Sequence, residues 1–153
     1  MSETETSLMN QQLDALLYEE TNLIANLANA SALVNSTYDD LNWAGFYLFN
    51  ETTGELDLGP FQGKVACMHI KIGAGVVGTA FKDQQIHRVA NVHEFPGHIA
   101  CDSASNAEIV VPITKGDHQI GVLDIDSPSL DRFTADNEQE LAEFVKILVQ
   151  HID

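Results

Sequence analysis

The sequence predicts an α+β fold: a central antiparallel sheet of five or six strands, with N- and C-terminal helices on one face and a ligand face opposite. Two observations carry this prediction. Apolar residues recur at helical spacing at both ends, Leu13, Leu16, Leu17, Ile24, Leu27 and Ala28 in the first segment and Leu141, Phe144, Val145, Leu148 and Ile152 in the last. Between them, short apolar or alternating runs are punctuated by turn residues and joined largely as hairpins. With 153 residues, 44% of them hydrophobic, the chain can bury a real core, and one domain over 1–153 is expected.

In chain order, the first periodic segment predicts a helix over about 6–30, and Ala32–Val34 a second short one. Residues 42–49, Asn-Trp-Ala-Gly-Phe-Tyr-Leu-Phe, then pair with Glu55–Phe61 across Thr53-Gly54 as a hairpin. Alternation puts Trp43, Gly45 and Tyr47 on one face and Ala44, Phe46 and Leu48 on the other, the second set being core. Val65–Ile72 reads as a strand with Ala66, Met68, Ile70 and Ile72 on its apolar face and Val65, Cys67, His69 and Lys71 on a mixed one. A short helix from Gly73 and a short strand over Gln85–Val89 follow, then a loop from Asn91. Ile109–Val111 is the strand that holds that loop, and His118–Asp126 the next, with Ile120, Val122, Asp124 and Asp126 on one face. Thr134 is the expected N-cap of a last helix over about 134–152. Sheet and pocket thus occupy about 42–127.

Charge narrows the function classes. Seven Lys and Arg against 23 Asp and Glu give −16, which repels phosphate backbones and anionic headgroups, so neither nucleic acid nor membrane is an expected partner. The start, Met-Ser-Glu-Thr-Glu-Thr, lacks the basic and apolar blocks of a signal peptide, and no apolar run is long enough to cross a bilayer. A cytoplasmic location is expected, and with it reduced thiols.

Chemistry concentrates in His93–Pro112, where Cys101, two histidines and several acids lie in a loop beside an apolar strand. The two cysteines, Cys67 and Cys101, admit three readings: inert burial, a redox couple, or a zinc site completed by His69 and His98. Glu108, Asp124 and Asp126 are either solvated edge charges or the walls of a pocket. As a pocket they would attract an ammonium group and share protons, and they would oppose a thiolate at Cys101 unless His98 or loop N–H groups favoured it. Gly73-x-Gly75-x-x-Gly78 matches a dinucleotide fingerprint literally. Without an alternating β-α-β series around it, tight turning and close helix approach explain it better.

Five blocks in this order, Asn42-Trp-Ala-Gly-Phe-Tyr, Phe61-Gln-Gly-Lys-x-Ala-Cys67, Gly75-Val-Val-Gly-Thr-Ala, Gly97-His-Ile-Ala-Cys-Asp-Ser-Ala-Ser-Asn-x-Glu108-Ile-Val and Gly121-Val-Leu-Asp-Ile-Asp-Ser127, resemble the free methionine-(R)-sulfoxide reductases, single GAF-domain enzymes. The resemblance implies a GAF fold, Cys101 as catalytic and Cys67 as resolving cysteine, and Glu108, Asp124 and Asp126 as substrate-site acids, with Glu108 or Asp126 donating the proton. Trp43 becomes a pocket aromatic, and Tyr47 shares its strand face. The resemblance also implies no bound cofactor or metal, recycling by thioredoxin and indirectly NADPH, and a homodimer. The family's third cysteine is replaced by Val77, so no step here can use a thiol at that position. The competing expectations are a non-catalytic GAF sensor of a small molecule and a Cys/His zinc-binding domain.

Overall fold

Alternation along the strands divides the molecule into two faces, and the computed structural model, which describes residues 6–99, 101 and 103–153, reveals what covers each. Strands β1 (Trp43–Asn50), β2 (Glu55–Gly63), β3 (His69–Lys71), β4 (His87–Val89), β5 (Ala107–Lys115) and β6 (His118–Ser127) form one antiparallel sheet, ordered β3-β2-β1-β6-β5-β4. Helices α1 (Leu8–Leu16), α2 (Leu23–Thr37) and α4 (Ala135–Gln150) cover one face, where Leu13, Leu27, Val34, Leu141, Phe144 and Leu148 bury Ala44, Phe46, Ile109, Leu123 and Ile125. Helix α3 (Gly75–Asp83) lies on the other. There Val76, Val77, Ala80 and Phe81 pack with Trp43, Tyr47, Val110 and Val122. Among the described residues no helix is long and apolar enough to cross a membrane.

Local chemistry sets the element ends. Thr134 and Asn137 cap α4 reciprocally, each side-chain oxygen accepting the other's backbone N–H, at 3.1 and 3.0 Å. The helix expected over 6–30 divides in two. Asn22 accepts from the N–H of Ala25 at 3.0 Å and starts α2 afresh, while Glu19 takes a left-handed φ of 60° between the helices. The short helix expected at Ala32–Val34 is the second half of α2.

Two further expectations are corrected by sheet irregularities. Val65–Ile72 is strand only over His69–Lys71, and Met68, expected on an apolar face, is 70% exposed. The chain from Lys64 to Met68 leaves the sheet, held by Tyr47 Oη donating to the Cys67 carbonyl at 2.9 Å. On β6, Ile120 packs with the helix-side core instead of sharing a face with Val122. Ile113 pairs with Gly121 but Thr114 with Gln119, so Ile120 is the extra residue of a bulge, which reverses the alternation there.

Close approach of backbones explains the glycines that matter most here. A Cβ on Gly78 would sit 2.4 Å from the Lys71 carbonyl oxygen, so the glycine run serves to press α3 against β3. A Cβ on Gly45 would meet that of Phe61 at 2.2 Å, and its absence lets the Phe61 ring stack on Trp43, with centroids 5.0 Å apart.

Candidate active site

Register brings the acids together. Glu108 of β5 lies opposite Asp126 of β6, and Asp126 opposite Trp43 of β1, while Asp124 lies opposite both Val110 and Gly45. Before the bulge, Glu108 and Val110 of β5 and Val122, Asp124 and Asp126 of β6 face α3, so all three carboxylates line the cavity beneath it. They are buried, at 8%, 5% and 9% exposure for Glu108, Asp124 and Asp126, which removes the reading of solvated edge charges. One oxygen from each lies within 4.8 Å of the other two, the one such grouping of metal-ligand type among the described residues.

Three acids so close in a dry place cannot all ionise cheaply. Burial, then the charges of Asp124 and Asp126, push the Glu108 carboxyl well above its ordinary range. Burial raises Asp124 to about 6, opposed by hydrogen bonds with Glu108 and Asp126. Within the cluster a proton is therefore held most readily by Glu108, beside the more acidic Asp124. Asp124 Oδ1 is buried and accepts no hydrogen bond from the described residues, so it has capacity for a donor from outside. Tyr47 is also raised, by burial and then by Asp124, and stays a neutral donor.

Aromatic rings build one wall. Trp43 stacks between Tyr47 and Phe61, with centroids at 5.8 and 5.0 Å, and its Nε1–H donates to the Lys64 carbonyl at 3.2 Å. The opposite side carries Ala74, Gly75, Val76 and Val77 at the start of α3, whose N-cap Ala74 supplies no side-chain cap for the first N–H groups.

Cys101, His98 and Ile99 close the top, with Cys101 bonded to Cys67, their Cα atoms 5.4 Å apart. In the bridged state the four side chains of the zinc reading are not assembled as ligands: the two sulfurs bind each other and His69 Nδ1 lies 2.8 Å from Asp57 at the exposed sheet edge. His98 is pulled below its ordinary pKa by burial and then by His93, so at neutral pH it is uncharged, and the thiolate-favouring charge expected of it is absent. Ala100 and Asp102 of the loop expected here lie outside the described residues.

With the bridge intact the enclosed space is about 40 Å³. That admits a few waters, whereas ligand pockets commonly offer about 300 Å³ or more. Sequence reasoning passed over Ser105, buried and accepting from Asn42 Nδ2 at 2.9 Å, and the apolar lining from Ile70 and Val76. Loop position beside Cys101 was the only signal for Ser105.

Comparison with known proteins agrees with this geometry. The GAF domain model matches residues 12–152. The free methionine-R-sulfoxide reductase of Escherichia coli (strain K12) is 52% identical over 137 residues, covering 90% of this chain and 82% of the relative. Among solved structures, fRMsr of Staphylococcus aureus in complex with substrate superposes with a TM-score of 0.89 at 48% identity, covering 99% of each chain. The free methionine-R-sulfoxide reductase from Neisseria meningitidis in complex with its substrate gives 0.90 at 40% identity, covering 94% of this chain and 85% of that one. This chain is a GAF-domain protein and belongs to the free methionine-R-sulfoxide reductase family.

Proposed function

We propose that the protein reduces free L-methionine-(R)-sulfoxide to methionine through a sulfenic acid on Cys101 and a Cys67–Cys101 disulfide recycled by a thioredoxin-type dithiol. The observation that carries this is the bridge itself: the one cysteine that lines the acid-walled cavity is bonded to the other, within the loop that roofs it.

The residue types fit each step. In the reduced protein the Cys101 thiolate attacks the sulfoxide sulfur while Glu108, held protonated by its neighbours, donates to the sulfoxide oxygen. Oxygen passes to Cys101, methionine leaves, and Cys101 is a sulfenic acid. The Cys67 thiol then displaces that oxygen as water and the disulfide forms. A dithiol returns both cysteines to thiols and is itself oxidised, with NADPH the ultimate electron source. Because the bridged state leaves so little space, reduction precedes substrate entry.

Binding divides among the remaining groups. Ionised Asp124, with Asp126, holds the α-ammonium, and the open Asp124 Oδ1 is suited to accept one of its protons. Loop N–H groups and the uncapped start of α3 hold the α-carboxylate. Trp43 and Tyr47 pack the S-methyl end. Recognition of both termini restricts the reaction to the free amino acid, and the cytoplasm supplies the reductant. A homodimer is part of this reading by family.

The test is to supply separated R and S epimers of methionine sulfoxide with thioredoxin and its reductase and follow NADPH. Oxidation with the R epimer alone is expected. Binding of a small molecule with no NADPH oxidation from either epimer would favour the non-catalytic sensor.

A further inference from the structure

Cys67 lies in the longest acid-free stretch of the chain. Between Asp57 and Asp83 there is no Asp or Glu, although the sequence holds 23, and the stretch carries Lys64, Lys71 and Lys82 of only seven Lys and Arg. The same neighbourhood is apolar where water would be expected to select polar residues. Val65 is 88% exposed, Met68 70% and Ile99 40%. Each lies within two residues of a bridged cysteine, and the two cysteine Cα atoms are 5.4 Å apart, so these side chains ring the disulfide. Val65 and Met68 belong to neither core cluster, while Ile99 also helps roof the cavity. Cys101 lines the cavity and Cys67 does not; both are half-buried, and Cys67 sits between the apolar cluster under α3 and the exposed Val65 and Met68.

We propose that Lys64, Val65, Met68 and Ile99 form the docking surface for the protein dithiol that recycles this molecule, and that the incoming thiolate attacks Sγ of Cys67. This rests on the disulfide chemistry given above. The partner is a small acidic dithiol protein with an apolar rim around its nucleophilic sulfur. An acidic partner is repelled by a chain of charge −16 almost everywhere, but charges beyond a Debye length of about 8 Å are screened at physiological salt. Approach therefore depends on the local charge, and exposed Lys64, three residues from Cys67, is the cation set beside the bridge, with Asp57 paired to His69 at the adjoining sheet edge.

The attack breaks the Cys67–Cys101 bond and forms a mixed disulfide on Cys67, with the electron pair leaving on Cys101 as a thiolate inside the cavity. The partner's second thiol then attacks the mixed disulfide. Cys67 departs as a thiol, and the partner leaves as its own disulfide, having given up two electrons and two protons. Cys101 is thus released where its substrate binds.

Two measurements test this, on the full-length oxidised protein. Val65→Glu, Met68→Glu and Lys64→Glu place acid on an exposed surface and leave the cavity untouched. With thioredoxin as reductant their KM for thioredoxin should rise about tenfold or more, while turnover driven by dithiothreitol stays at the wild-type rate. Unchanged KM for thioredoxin in all three, with dithiothreitol turnover intact, overturns the docking surface. Loss of sulfoxide reduction in the wild type with dithiothreitol overturns the proposed function instead, so the two failures are distinct. Thioredoxin lacking its second active-site cysteine should be trapped on Cys67 by peptide mapping, and trapping on Cys101 overturns the assignment. If light scattering finds that Val65→Glu alone converts a dimer to a monomer, the patch is a self-interface and the proposal fails.

Discussion

Asp124→Asn should make the protein more stable at alkaline pH and scarcely change it in acid, and the size of that difference follows from the burial of the acid cluster. Asp124 moves from an ordinary 3.8 to about 6 in the fold. A raised acid binds its proton more tightly when folded. Between those values the folded state holds more protons than the unfolded one, and stability falls as pH rises. The proton-linked stability is complete below 3.8 and lost once pH passes about 6. Each tenfold change in proton affinity is worth about 1.4 kcal/mol, so ionised Asp124 costs the folded state about 3 kcal/mol at pH 8. Asparagine removes that cost, and Glu108, relieved of a neighbouring charge, shifts in the same direction. Any fixed effect of the new amide cancels in the comparison of two pH values. Urea denaturation of wild type and variant, both fully reduced, at pH 4 and pH 8 reads the quantity. The variant's advantage should grow by about 2.5 kcal/mol between them, roughly 5–10 °C in Tm for a chain of this size. An advantage that is flat with pH would refute the premise that Asp124 is ionised in a dry cluster.

Other expectations concern the chemistry and its supports. Cys101→Ser should abolish sulfoxide reduction, and Cys67→Ser should form about one methionine per protein before stalling with thioredoxin, read by amino-acid analysis. kcat/KM should rise as pH passes about 6, where Asp124 ionises to hold the ammonium, and decline on the alkaline side as Glu108 loses its proton, a bell that Glu108→Gln should flatten on that limb. Trp43→Ala, which removes both ring stacks, should cost about 3–5 kcal/mol in urea and raise KM for the sulfoxide. Gly78→Ala forces a methyl against the Lys71 carbonyl, and a loss of about 1–3 kcal/mol by thermal unfolding is expected.

The face assignments were legible because period two is a strict geometric rule where strands are regular. Trp43 and Tyr47 were separated from Ala44 and Phe46 on that rule alone, and the structure places them on opposite faces of β1. Asp124 and Asp126 were placed on one face by the same rule, and register with β5 adds Glu108 beside them. It failed at Ile120, where one extra residue in β6 inverts the alternation, and a bulge leaves no mark in hydrophobic pattern. The division of the first helix was hidden because Leu16, Leu17 and Ile24 keep helical spacing across a break that Asn22 makes by capping. Val65–Ile72 looked like one strand since its residues alternate, yet only His69–Lys71 pairs in the ladder and the part before it runs to the Cys67–Cys101 bridge. Pairing of the cysteines needed the resemblance, for spacing alone left three chemistries open.

The central claim is that one sulfoxide oxygen is removed at the cost of one new bond between two particular sulfurs. Reduced protein, freed of dithiol and mixed with excess methionine-(R)-sulfoxide without oxygen, tests it in a single turnover. About one methionine per chain should appear together with a disulfide that peptide mapping assigns to Cys67 and Cys101. Methionine formed while both thiols remain free, or a disulfide formed with no methionine, would contradict it.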